Sequence, residues 1–210
     1  MFKYAIIISL FFCISACDKR LPADEANNAL AESSRYLAAG KMAEAEKTLQ
    51  EAILKNDSFV LKEALLELYI NNNRWNDAET YLRGNEKGLA DYVLKKSYWK
   101  LSSKYFNEAK WIEAAHYSMK AASLMREMGK TGRAEMGCEM SMPETLRNAA
   151  AAYYNSMNLR AISEILQQLY DIQHDSACQY PEITVEIEKS IRDVLAMKNR
   201  LSSNVIDPAL

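Results

Sequence analysis

Six glycines and four prolines in 210 residues are few, and beside an abundance of Ala, Leu, Glu, Lys and Met this shortage of helix breakers favours helices throughout. A basic excess is missing too. The 26 lysines and arginines face 28 aspartates and glutamates, a formal charge of −2, which excludes the electrostatic footprint of a nucleic-acid binder. Only two histidines are present, His116 and His174. No Ser/His/Asp or Cys/His arrangement can be built on them, so the chain reads as a non-enzyme with no cofactor and no small-molecule substrate. Gly129-Lys130-Thr131 carries the end of a phosphate-binding loop, yet Leu124 stands where its first glycine belongs and the segment leading in is helical where a strand is required. The apolar run from Tyr4 to Ala16, interrupted by Ser9 and Ser15, is also too short to cross a bilayer, which takes about 20 residues for ~30 Å of hydrocarbon.

That short run has another use. Lys3 ahead of it and small residues at its end describe a secretory signal peptide. Ile14-Ser15-Ala16-Cys17 resembles the lipobox of bacterial lipoproteins, in which the cysteine is diacylated and then becomes the first residue of the mature chain. The resemblance implies that residues 1–16 are removed, Cys13 with them, that Cys17 is the lipid anchor and that residues 17–25 are a tether. The alternative is an ordinary secreted protein cut nearby. An acylated cysteine implies attachment to a membrane surface, in a bacterial envelope and facing the periplasm. Asp18 resembles the signal for retention at the inner membrane, although Lys19 is not its best companion; the inner membrane is favoured over the outer. The 194 residues after the cut carry a charge of −3.

Three tripeptides rhyme: Tyr69-Ile70-Asn71, Tyr105-Phe106-Asn107 and Tyr153-Tyr154-Asn155, with Tyr36-Leu37-Ala38 as a weaker fourth. Six residues after each tyrosine comes a bulky residue (Met42, Trp75, Trp111, Leu159), and nine after it a packing residue (Ala45, Ala78, Ala114, Ile162). Four further on stand Leu49, Leu82, Ser118 and Leu166. Self-similarity at this period marks a repeat array, and a small residue followed by a bulky one a turn later suits two helices that approach closely.

The pattern resembles the tetratricopeptide repeat (TPR), a helix-turn-helix unit of about 34 residues. The small residue early in helix A is Ser33, Ser102 or Ala150, with Leu66 departing, and Asp57 stands where the family closes a unit with proline. The alternative is a non-repetitive helical bundle. The resemblance implies an all-α, right-handed superhelical array of TPR-like hairpins, with units over 26–58, 59–92, 95–128 and 143–176. Repeats one to three thus occupy 26–128, a glycine-rich insertion 129–142, and the fourth repeat with a capping helix 143–204. Ser141 and Glu144 are placed to form a capping box. Five methionines gather at the insertion, Met125, Met128, Met136, Met140 and Met142, and read as adaptable packing. Ile187, Ile191, Val194 and Leu201 share one face of the capping helix, as the last repeat of an array needs.

Two cysteines remain after processing, Cys138 and Cys178, and composition leaves a bridge and two separate thiols equally open. The TPR resemblance favours the bridge, because the start of helix A and the end of helix B lie at one end of a hairpin. The same resemblance puts a partner-binding groove on the A helices. It maps onto Glu67, Ile70 and Asn71 in the second unit, Trp99, Ser103, Phe106 and Asn107 in the third, and Arg147, Tyr154 and Asn155 in the fourth. Each asparagine offers donor and acceptor to a peptide backbone, or simply ends its helix. What this implies is a lipid-tethered adaptor for an envelope protein or peptide, in a secretion, pilus or outer-membrane machine; a pilotin-like targeting factor is one alternative. The other is a helical metalloprotein using Glu113/His116 and Asp171/His174, since carboxylate-histidine pairs at that spacing build di-iron bundles.

Overall fold

The computed structural model describes residues 21–131 and 141–206, all of them in helices or in the links between them. The chain divides into two compact units between Ala90 and Asp91. The first holds α1 (Leu21–Ala38), α2 (Met42–Lys55), α3 (Phe59–Asn71), α4 (Trp75–Asn85) and a 3-10 turn (Glu86–Gly88). The second holds α5 (Asp91–Asn107), α6 (Trp111–Lys130), α7 (Met142–Asn155), α8 (Leu159–Gln173), a 3-10 turn (Ser176–Cys178) and α9 (Pro181–Ile206). Helix α1 therefore begins inside the expected tether, and the division falls between the second and third hairpins rather than at the insertion.

The hairpins α1–α2, α3–α4, α5–α6 and α7–α8 each reverse on three residues, and the four turns repeat one backbone structure. In each, the amide five residues on donates to the carbonyl of the rhyming tyrosine: Lys41 to Tyr36 (2.8 Å), Arg74 to Tyr69 (2.8 Å), Lys110 to Tyr105 (2.9 Å) and Asn158 to Tyr153 (2.8 Å). A second bond runs inside it, from Gly40 to Leu37, Asn73 to Ile70, Ala109 to Phe106 and Met157 to Tyr154, at 3.0–3.2 Å. This pair of bonds is the Schellman motif, which requires a left-handed residue just past the helix. Gly40 (φ 71°), Asn73 (58°), Ala109 (55°) and Met157 (58°) supply it. Asn71, Asn107 and Asn155 are each the last helical residue before the turn, so the repeated asparagine does end its helix.

Side-chain packing repeats as the backbone does. The bulky residues Met42, Trp75, Trp111 and Leu159 each open the second helix of their hairpin. Ala45, Ala78, Ala114 and Ile162 are all 0% exposed, which is why three of the four are alanine: the helix axes can close up only where the crossing residue is small. Ser33, Leu66, Ser102 and Ala150 are buried on the facing helix, and Leu49, Leu82, Ser118 and Leu166 a turn further on. The third hairpin departs from the apolar pattern with a matched pair. Ser102 Oγ and Ser118 Oγ lie 2.6 Å apart, and Ser102 also donates to the Ala114 carbonyl at 3.0 Å, so neither buried hydroxyl is stranded.

In the first unit α3 packs on α1, α2 and α4. With helices on three sides it buries Leu61, Leu65, Leu66, Leu68, Tyr69 and Ile70, and leaves Val60 and Asn71 exposed on the remaining side. In the second, α6 packs on α5 and α7, and α9 lies on α7 and α8, burying Ile183, Ile187, Ile191, Val194 and Leu201. The expected capping helix is present, an all-α fold of TPR-like hairpins. The capping box is not: Ser141 has a helical backbone and makes no side-chain cap bond, while Glu144 turns along α7 towards Arg147 (3.7 Å).

Candidate protein-binding face

Helix α5 carries a line of rings that its core does not use. Val93, Leu94, Ser97, Tyr98, Leu101, Ser102 and Tyr105 form its buried side. On the opposite side Tyr92 is 57% and Trp99 49% exposed, with half-buried Phe106 and exposed Ser103 and Asn107. Tyr92, Trp99 and Phe106 recur at seven-residue intervals, which keeps them within about 40° of one line on a straight helix. The ring of Phe106 meets Trp111 edge-on, centroids 5.1 Å apart, at 77°, extending the surface onto the start of α6 beside Ile112, 71% exposed. Lys96 and Lys100 flank the line on one side and Lys95 on the other, where a helical period puts them. At its end Glu108 accepts from Lys110 (3.0 Å) and Lys104 (3.2 Å), and these ammonium groups hold its carboxyl below the usual range.

The expected groove residues lie on α3 in the first unit and on α5 and α7 in the second. Trp99, Ser103, Phe106 and Asn107 share α5, as the register requires, and Tyr92 joins them although the sequence reading missed it. The seven-residue step was the available signal. Ile70 is a correction: at 5% exposure it belongs to the core of the first unit, because α3 is covered by helices on three sides. Glu67 is half-buried and Asn71 exposed on the same helix. Arg147 is a second correction. Its side chain is 16% exposed and committed to carboxylates, Glu186 (3.1 Å) and Asp193 (3.4 Å) on α9 and Glu144 (3.7 Å) on α7, so it clamps the capping helix. Tyr154 is half-buried and Asn155 exposed at the end of α7.

A second polar constellation, in the first unit, was not visible in the sequence. Tyr69 donates to Glu46 Oε1 (2.8 Å) and accepts from Gln50 (3.3 Å). Arg74 pairs with the same Glu46, donates to Asp77 at 2.7 Å, and places its guanidinium 4.8 Å from the Tyr69 ring centre. Burial first, and the Glu46 bond second, push the Tyr69 hydroxyl up to about 12. Burial likewise raises Tyr81, whose ring meets Tyr69 at 6.0 Å, to about 12. These groups tie the first hairpin to the second and show no nucleophile or exposed acid-base pair.

The carboxylate-histidine pairs do not assemble. Glu113 and His116 are exposed on α6, His116 lying edge-on to Tyr117 at 5.1 Å. Asp171 accepts from Gln167 (2.9 Å), and the His174 ring nitrogen is 2.7 Å from the Tyr170 carbonyl. No group of three His, Cys, Asp or Glu among the described residues could hold a metal ion, and none of the described helices is long and apolar enough to cross a membrane. Cys17 and Cys138 lie outside the described residues. Cys178, 5% exposed, follows α8 beside a cavity it shares with Met125, Gly129, Lys130 and Met142.

No protein-family profile matches the chain, and no curated protein matches it. Among solved structures it is similar to Podosopora anserina "kinesin light chain nearly identical TPR-like repeats", at 15% identity and a TM-score of 0.41, over 88% of this chain and 98% of that one. A singly substituted form of the same repeats gives 16% identity and a TM-score of 0.41, over 84% and 92%. The assignment of the fold rests on the four equivalent hairpins of the chain itself.

Proposed function

We propose that this chain is a lipid-tethered, TPR-like adaptor of the bacterial envelope that holds a protein partner on the outer side of α5. The observation that carries the reading is the line of half-exposed rings, Tyr92 and Trp99 with Phe106. Aromatic residues clustered on a surface that the core does not need mark interfaces. Repeated helical hairpins supply a surface and no reaction, and the site contains no catalytic arrangement. Acylation of Cys17 would keep that surface at the membrane; two acyl chains suffice for lasting attachment. The inner membrane and the secretion, pilus or outer-membrane setting belong to this proposal, as does a Cys138–Cys178 bridge. Support for the bridge is that the segment holding Cys138 leaves from Lys130 and returns at Met142, both of which line the cavity beside Cys178.

The test uses Tyr92→Ala with Trp99→Ala, because both rings are about half exposed whereas Phe106 also supports Trp111. Crosslinking in living cells from a photoreactive residue at position 103 should capture one protein in the parent chain. The variant should lose it while keeping helicity and melting temperature. Retained capture would remove α5 from the interface, and Cys17→Ser with unchanged membrane attachment would remove the anchor.

A further inference from the structure

We propose that the corner between α2 and α3 is a second membrane contact, which sets Leu54 and Phe59 into the lipid headgroup region beside the acyl anchor; this rests on the reading of Cys17 as acylated. The corner displays apolar side chains that nothing in the unit covers. Leu54 is 87%, Phe59 58% and Val60 38% exposed, although each adjoins well-buried neighbours such as Leu49 and Leu61. They flank a link of three residues, 56–58. That link is closed by Asn56 N–H to the Ala52 carbonyl (2.8 Å), Ser58 N–H to the Asn56 carbonyl (2.6 Å) and an ion pair between Lys62 and Asp57 at 2.5 Å. The two side chains are thus presented on either side of a hydrogen-bonded turn.

What covers them follows from where the chain before α1 ends. Cys17 precedes Leu21, the first residue of α1, by four positions, a reach of at most ~14 Å when fully extended. The first turns of α1 lie at the same end of the hairpin as the corner: Glu25, Ala26 and Ala29 line one cleft together with Ala52, Lys55 and Asn56 from the end of α2 and Leu61 from α3. An anchor at Cys17 therefore delivers this end of the first unit to the lipid surface. Leucine and phenylalanine beside an exposed lysine, Lys55, suit the boundary between headgroups and acyl chains. The glutamates in the cleft behind, Glu25, Glu32, Glu44 and Glu51, oppose a strongly anionic surface, so the contact is apolar rather than electrostatic and a zwitterionic bilayer suffices. The corner would hold the unit in one orientation on its tether.

The experiment uses the full acylated chain in phosphatidylcholine vesicles, with or without bromine on the lipid tails. Phe59→Trp places a reporter at the corner, and Leu37→Trp, at a side chain 38% exposed at the opposite end of α1, serves as the control. Trp75, Trp99 and Trp111 are common to both and are subtracted with the parent chain. The emission added at position 59 should fall at least about twofold in brominated vesicles and that at position 37 should not. Equal response at the two positions overturns the proposal. So does a dimer that Leu54→Asp dissolves with no quenching at position 59, which assigns the corner to a second copy. Mass measurement of the mature N-terminus separates the two readings: an acylated Cys17 without quenching sinks the corner alone, whereas an unmodified Cys17 on a chain that stays out of the vesicle fraction sinks both.

Discussion

The hairpins α3–α4 and α5–α6 turn on the same backbone, yet the tyrosine at each turn is secured by different chemistry. Tyr69, in the first unit, sits in an ionisable bracket, bonded to Glu46 and covered by Arg74, which Glu46 and Asp77 hold in place. Tyr105, in the second, lies parallel to Tyr117 with centroids 5.7 Å apart, and the ammonium groups of Lys104 and Lys110 stand 4.0 and 5.5 Å from its ring centre. Arg74 and Lys110 occupy the same turn position, five after the tyrosine. In these two hairpins the residue closing the turn places its cation over the ring, whereas the fourth has Asn158 at that position. In the first unit the groups beyond that cation reach back to the preceding hairpin. The second unit concentrates its charge elsewhere, on Arg147, where one guanidinium answers three carboxylates and fastens α9.

The largest effect should come from breaking that fastening. Arg147→Met leaves Asp193 facing α7 without its cation and Glu186 with Lys189 alone (3.3 Å). For a fully buried cluster the loss would be ~3–5 kcal/mol, and since Asp193 is 48% exposed we expect about 2 kcal/mol. Glu46→Gln in the first unit keeps a hydrogen-bond acceptor for Tyr69 and should cost about 1 kcal/mol. Hydrogen exchange would locate the two losses, the first in α7–α9 and the second in α2–α3. Equal losses, or loss of protection outside those helices, would show that the units do not use charge in the two ways described.

Alkali should sharpen the contrast. A tyrosine whose folded pKa lies above its unfolded value of about 10 contributes stability that is complete below pH 10 and declines as the pH climbs through the folded value. Tyr69 and Tyr81, both in the first unit, are pushed up to about 12, so stability there should drain away between pH 10 and 12. Tyr69→Phe removes one titrating group and should make that decline shallower. Helicity followed against pH for the parent and the variant checks this. Identical slopes would mean that the Tyr69 hydroxyl is not held by burial and Glu46.

The hairpins themselves were legible in the sequence because their signals are local. The tyrosine, the bulky residue six on and the packing residue nine on all lie within one turn and the helix that follows, and each took its expected place, Ala45, Ala78, Ala114 and Ile162 being fully buried. The candidate face was legible only in part. Whether Ile70 or Phe106 faces solvent depends on how many helices surround α3 or α5, a fact of long-range packing that no local pattern contains. Arg147 was misassigned for the same reason, since its partners Glu186 and Asp193 lie 39 and 46 residues further along the chain. The bracket at Tyr69 escaped notice because Glu46 belongs to the preceding hairpin.

The smallest expected effects test whether the four turns are equivalent despite unlike residues at the left-handed position. Gly40 meets that conformation without strain, whereas Ala109 and Met157 hold φ of 55° and 58° with a Cβ that crowds the neighbouring carbonyl, at ~1–2 kcal/mol each. Glycine there relieves the crowding but gives back ~0.4–1 kcal/mol through the greater freedom of the unfolded chain. Ala109→Gly and Met157→Gly should therefore each stabilise by about 0.5 kcal/mol, and Gly40→Ala, the reverse change, should destabilise by about 0.5 kcal/mol. Asn73→Gly should change little, because asparagine tolerates the left-handed region. Denaturant midpoints for the four variants give the answer, and the order of the shifts is the informative result. If alanine at position 40 were harmless while glycine at 109 helped, the first turn would not be the same structure as the third, and the repeat would be one of sequence without being one of backbone.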